Sequence, residues 1–151
     1  ISGWSNYDAF MNGDSSALSA SAKRGMELFN SAALNCTACH SGFDISDHGF
    51  HNVGLYEVYA DTGRARITTR HTDVGKFKTP TLRNISRTAP YMHDGSMATL
   101  EQVVDHFASG GRPHPNRDAE MRSFVVSKAE KADLIAFLEA LTDERTLDQV
   151  P

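Results

Sequence analysis

A chain of 151 residues is long enough for one domain around a single core, and its length gives no reason for two. With 40% apolar and 23% charged residues it resembles neither a disordered tail nor a fibre. Its 15 Lys and Arg against 19 Asp and Glu leave a formal net charge of -4, which argues against nucleic acid as a partner, and no apolar run is long enough for a membrane span.

The chain starts at Ile1 with no basic segment followed by an apolar one, which reads as a processed or truncated chain. Residues 1–20 are rich in Gly, Ser, Asn and Asp, with Trp4, Tyr7, Phe10 and Met11 as anchors and a short helix expected around NYDAFM. From Ser19 into Phe29, Ala22, Met26 and Phe29 recur at helical spacing, and Lys23 and Glu27 form an i,i+4 pair on the polar side. Residues 41–81 are Gly-punctuated and weakly patterned. They read as a long ordered loop region with short strands near Leu55 to Tyr59, of a length that needs something to pack against. Leu82 and Ile85 begin a short helix that Pro90 interrupts. Thr99 is an N-cap for a helix presenting Leu100, Val103, Val104 and Phe107, which Gly110 and Gly111 stop. Ser127 and Glu130 have capping-box spacing before a last helix that buries Leu134, Ile135, Phe137, Leu138 and Leu141. Three main helices around a loop-rich middle make a mostly α domain over residues 1–151.

The two cysteines of the chain lie in NCTACHSG, three positions apart, and His40 follows the second directly. Three chemistries share this pattern. In a thioether-attached haem, Cys36 and Cys39 reach the two vinyl positions of one porphyrin and His40 binds its iron. A redox dithiol sits at a helix N-terminus after a strand, where its thiol pKa is lowered, whereas this motif follows a helix. Zinc needs two further ligands, which His48, His51, His71 or His93 would supply, and the second CxxC of a zinc ribbon is missing. The motif favours haem c.

The segments NCTACHSGF, FHNVGLY, GKFKTPTLRNISRTAPYMHDGSMATLEQVVDHFASGG and EKADLIAFLEALTD together resemble the C-terminal haem domain of bacterial di-haem cytochrome c peroxidases. The match is nearer to the branch that includes the enzyme maturing the quinone cofactor of methylamine dehydrogenase, and even the opening ISGWSNYDAFMNGD is similar. The resemblance covers nearly the whole chain and implies a cytochrome c-like single-haem domain with long ordered loops. It also implies an N-terminal domain with a second haem and a calcium ion between the two domains. These 151 residues carry one CxxCH and do not include that partner domain.

The resemblance also assigns expectations to residues. The family places a methionine or tyrosine ligand in the helix after the HDG motif; the matching position here is Phe107, which cannot bind iron. The iron is then five-coordinate, or His106, Met97 or Met92 takes over. On an ideal helix His106 is turned from Phe107 by about 100°, and both methionines also read as packing residues. His93 corresponds to a distal histidine suited to hydrogen bonding or to moving a proton, or else to a buried histidine bonded to Asp94 or backbone. Arg83 is the expected partner of a haem propionate ahead of Lys76 and Lys78, because its fork suits a carboxylate. Carbonyls at Thr88 and Pro90 match the family's calcium ligands. His48, His71 and His114 lie in polar loops and are expected at the surface.

The expected function is that of a periplasmic c-type haem protein passing single electrons to or from a redox protein partner, with a separate chain as one possible carrier of the missing haem domain. A peroxidase chain with an open haem is the first alternative, with His93 as its catalytic residue. A haem-based gas-binding or sensory domain is the second.

Overall fold

The computed structural model describes residues 3–147; the ends of the domain read over 1–151 lie outside them. The described residues form α1 (Asn6–Met11), α2 (Ala20–Phe29), α3 (Ala65–Thr68), α4 (Leu100–Ser109) and α5 (Lys128–Glu139). Four short 3-10 turns and a two-stranded antiparallel sheet, β1 (Phe50–His51) with β2 (Phe77–Lys78), complete them. The fold is mostly α.

The helix ends are set by local chemistry. Ser5, Thr99 and Ser127 each close a capping box, with Asp8, Gln102 and Glu130 returning a hydrogen bond to the cap backbone. Ser19 caps α2 through the Ala22 N–H. Gly110 ends α4 at φ 78°, a left-handed conformation that favours glycine.

α2 and α5 frame the molecule, and they meet at Gly25. A Cβ there would stand 1.9 Å from the Asp133 carbonyl oxygen and 2.9 Å from the Phe137 Cβ. A helix-interior glycine costs about 1 kcal/mol relative to alanine, and here it is what lets the two backbones touch. Beside the crossing, Arg24 donates two hydrogen bonds to the Asp133 carboxylate at 2.7 and 2.6 Å, and the Ser21 hydroxyl adds a third at 2.5 Å. On the inner side Phe29 and Phe137 pack at 5.2 Å between ring centroids, with Tyr7 edge-on to Phe137 at 5.7 Å. The core continues through Leu34, Ile45, Leu82, Leu100, Val104, Leu134, Leu138 and Leu141.

The long middle segment has an organising centre of its own. Asn52 is 0% exposed. Its Oδ1 accepts from the Gly54 N–H and the Tyr59 hydroxyl, while its Nδ2 donates to the Val74 carbonyl and to His114 Nδ1. That hub corrects two expectations. Leu55 to Tyr59 form no strand, because the Leu55 N–H is taken by the Tyr59 hydroxyl across a tight loop; the paired residues are 50–51 and 77–78. His114 is half-buried rather than at the surface, held by Asn52 and by the Asn116 N–H. His48 and His71 are exposed as expected.

Candidate functional site

Cys36 to Ala38 form a single 3-10 turn entered through Asn35 in the left-handed region, φ 58°. The turn is closed by Cys39 and His40 N–H groups on the Cys36 carbonyl, at 3.4 and 3.0 Å. This puts Cys36, Cys39 and His40 on the wall of one cavity of about 410 Å³, inside the range of roughly 300–1,000 Å³ usual for cofactor sites. Its lining is largely apolar: Phe29 from α2, Leu134 and Leu138 from α5, Val104 and Phe107 from α4, and Leu82 and Ile85 from the segment between.

His40 donates its Nδ1–H to the Ile45 carbonyl at 3.0 Å, which fixes the tautomer and leaves Nε2 with the lone pair. Burial holds its pKa below the usual histidine value, so the ring is neutral at neutral pH. Both cysteines are free thiols. Burial pushes each up to about 11, with Asp47, Asp118 and Glu120 adding to the effect at Cys39. A redox dithiol needs the opposite shift, so the environment disfavours that chemistry. A CxxC zinc site is not assembled either. Among the described residues the set close enough to share an ion is Cys39, Asp47 and His51, which leaves Cys36 out. Two half-buried neutral thiols, a neutral imidazole with one nitrogen fixed and an apolar cavity beside them suit a haem.

The other expected residues divide. Phe107, Met92, His93, Thr88 and Pro90 line the cavity. His93 stacks on Phe77 at 3.7 Å between centroids, 15° from parallel, and Asp94 is engaged by the Tyr56 hydroxyl at 2.6 Å.

His106 and Met97, the expected substitutes for the missing iron ligand, are not among the residues lining the cavity. His106 Nε2 donates to the Val53 carbonyl at 2.9 Å. Met97 pairs its backbone with Tyr91 and does not line the cavity.

Arg83, expected at a haem propionate, is engaged within the chain. Its guanidinium is buried and forked onto Asp8 at 2.9 and 3.0 Å, its Nε–H donates to the Phe43 carbonyl at 2.6 Å, and it lies 4.2 Å over the Phe43 ring. It ties α1 to the segment after the CxxCH and does not line the cavity, whereas Lys78 does.

Sequence reasoning missed the loop 111–127, which contributes Asp118, Glu120, Met121, Arg122 and Phe124 to the lining. It is tied back by the Asn35 side chain, which donates to Glu120 at 2.6 Å. The alternation around MRSFVV was the one available signal.

The cytochrome c family model matches residues 22–142. The methylamine utilization protein MauG of Methylorubrum extorquens is 42% identical over 156 aligned positions, spanning 100% of this chain and 44% of that protein. The cytochrome c551 peroxidase of Nitrosomonas europaea is 34% identical, over 97% of this chain and 42% of its own. Among solved structures, a MauG-like protein associated with microbial copper homeostasis superposes with a TM-score of 0.90 at 36% identity, covering 95% of this chain and 53% of that one. The chain thus spans about half the length of the relatives it matches. It belongs to the cytochrome c family, as a haem c domain related to MauG and the di-haem cytochrome c peroxidases.

Proposed function

We propose that this domain is an electron-transfer centre, carrying single electrons to or from a redox partner that is either a second haem domain or a separate protein chain. In this reading Cys36 and Cys39 hold the haem as thioethers and His40 Nε2 is the proximal ligand. When bound, the haem supplies a one-electron redox couple in a low-dielectric setting. The chain's own residues prepare that setting. The Ile45 carbonyl holds the His40 ring by its Nδ1–H and raises its basicity. Phe29, Leu134 and Leu138 exclude water, and Lys78 on the cavity wall is the cation for a propionate, the role expected of Arg83. Calcium through the Thr88 and Pro90 carbonyls and a periplasmic location belong to the same reading. No helix among the described residues is long and apolar enough to cross a membrane.

The observation that carries the reading is the His40 Nδ1–H···Ile45 bond beside two half-buried neutral thiols at an apolar cavity. The test is expression with c-type haem maturation. Covalently bound haem is expected by mass spectrometry, is lost from Cys36→Ala with Cys39→Ala, and changes its spectrum in His40→Ala. A polypeptide of unmodified mass would refute it.

A second reading, a peroxidase chain, is favoured by one feature: Phe107, with no atom able to bind iron, lines the cavity together with His93. His93 would then move a proton to or from peroxide. A high-spin ferric spectrum that responds to peroxide supports this version, a high-spin spectrum that responds only to small gases supports a sensory domain, and a low-spin spectrum supports electron transfer alone.

A further inference from the structure

FHNVGLY holds a histidine that the proposed chemistry does not use. His51, on β1, lines the cavity, and one of its ring nitrogens lies within 4.8 Å of Cys39 Sγ. Both ring nitrogens face carboxylates: Nδ1 is 2.5 Å from Asp118 Oδ2, and Nε2 is 2.9 Å from Asp47 Oδ2. A carboxylate accepts and does not donate, so both bonds are made only when the ring carries both protons. His51 and Asp118 are half-buried, with side chains 22% and 24% exposed, and Asp47 closes the array on its solvent side. Their anchorage is firm. The Asp47 N–H donates to the Cys39 carbonyl, the Asp118 N–H donates to the Asn52 carbonyl, and Asp47 also accepts from the Gly49 N–H.

We propose that the Asp47–His51–Asp118 array is a proton-binding site linked to the redox state of the haem, so that one electron arriving there is accompanied by proton uptake at His51. The proposal rests on haem attachment at Cys36 and Cys39. The balance is simple: with His51 neutral, one electron from the protein donor and one proton from water convert the oxidised centre and neutral imidazole into the reduced centre and imidazolium. The physical cause is charge. An electron added at the cavity makes a nearby cation more favourable, and a neutral His51 would leave one nitrogen lone pair facing a carboxylate. The groups facing the array are Lys76, the Glu120 N–H on Asp118, and the Gly49 N–H and Thr79 side chain on Asp47; a charge on His51 in turn lowers the pKa of His40. Burial opposes the charge on His51, but the hydrogen bonds to Asp118 and Asp47 outweigh it and hold its pKa above the ordinary 6.5. The coupled window therefore opens above that pH.

The test is the midpoint potential of the haem-loaded protein as a function of pH, for the wild type, His51→Gln and Asp118→Asn, with covalent haem first established by mass. The wild-type potential is expected to fall with rising pH above 6.5. The fall disappears in His51→Gln, and in Asp118→Asn it moves to lower pH, because one of the two stabilising carboxylates is gone. A flat wild-type profile, or a fall of the same size and position in both variants, overturns the proposal while leaving the haem assignment intact. Absence of covalent haem overturns the assignment itself. A purely structural role for His51 would lower the melting temperature and leave the pH profile unmoved, which also overturns it.

Discussion

Gly25→Ala probes the frame on which the cavity depends. The added methyl would stand 1.9 Å from the Asp133 carbonyl oxygen and 2.5 Å from its carbon. A carbon and a carbonyl oxygen in close contact sit roughly 3.3 Å apart, so the helices must separate by about an ångström. Neither obstacle is a flexible side-chain end, and the next neighbour is the Phe137 Cβ. Opening a packed interface that far forfeits about a quarter to a half of the dispersion well at each contact, including the Phe29–Phe137 pair. The cost belongs at or above the upper end of the ~1–3 kcal/mol typical of an inserted methyl. Alanine returns about 1 kcal/mol of helix propensity, which leaves a net loss of about 2 kcal/mol or more. At about 2–4 °C per kcal/mol for a protein of this size, the melting temperature falls by about 4–8 °C. Thermal unfolding followed by far-UV circular dichroism reads it. Because Phe29, Leu134 and Leu138 ride on these two helices and line the cavity, the haem absorption bands should shift as well. A Gly25→Ala protein that melts at or above the wild-type temperature would show that the close approach is not what this glycine is for.

Asp8→Asn leaves the buried Arg83 guanidinium, 6% exposed, without its charge partner, a change that costs about 3–5 kcal/mol in comparable buried pairs; urea unfolding measures it. Asn52→Ala strands the Tyr59 hydroxyl and the Gly54 N–H at about 1–3 kcal/mol for each buried group, with the loss read in the same assay. Stability against pH should show a plateau. Asp47 and Asp94 are pulled down to about 2, burial being outweighed by hydrogen bonds from Gly49 and His51 in one case and from Tyr56 and Ser96 in the other. Their contribution is thus complete above the unfolded value of 3.8 and is lost as pH falls toward 2. His51 works in the opposite sense: its contribution is complete below 6.5 and fades as pH rises through its raised value. Urea midpoints measured across pH check both edges, and a midpoint that keeps climbing above neutral pH contradicts the His51 arm. Phe107→Tyr puts an oxygen ligand on the cavity wall where the family resemblance expects one; a shift of the ferric spectrum away from that of the wild type is expected, and an unchanged spectrum argues that Phe107 does not face the iron.

What could be read from the residues alone was whatever is encoded within a few positions. The caps at Thr99 and Ser127 announce their helices because donor and acceptor sit three residues apart, and CTACH announces its chemistry because the cofactor itself fixes that spacing. The errors fell where a partner is remote. Arg83 read as a propionate ligand because a guanidinium fork suits any carboxylate, and nothing local says that Asp8, 75 positions earlier, has taken it. The strands were misplaced because two-residue strands have no period to detect, and β1 and β2 are joined only through tertiary register. His106 was legible in part: its rotation from Phe107 already set it off the cavity, and the Val53 carbonyl receives it there.

The long Gly-punctuated middle of the chain has two sides. One wall of that stretch does face the cavity, through His51, Val53, Phe77 and Lys78. Its other side closes on Asn52, which gathers four hydrogen bonds from 52 to 114 with no exposure to solvent. A buried amide with all its partners met is costly to disturb and specifies one arrangement of the loops around it. Residues 51 and 52 are adjacent, so the amide that fixes the loops also fixes β1 and the imidazole beside Cys39. The charge array at the cavity's edge is thus held through the same short strand as the buried amide hub.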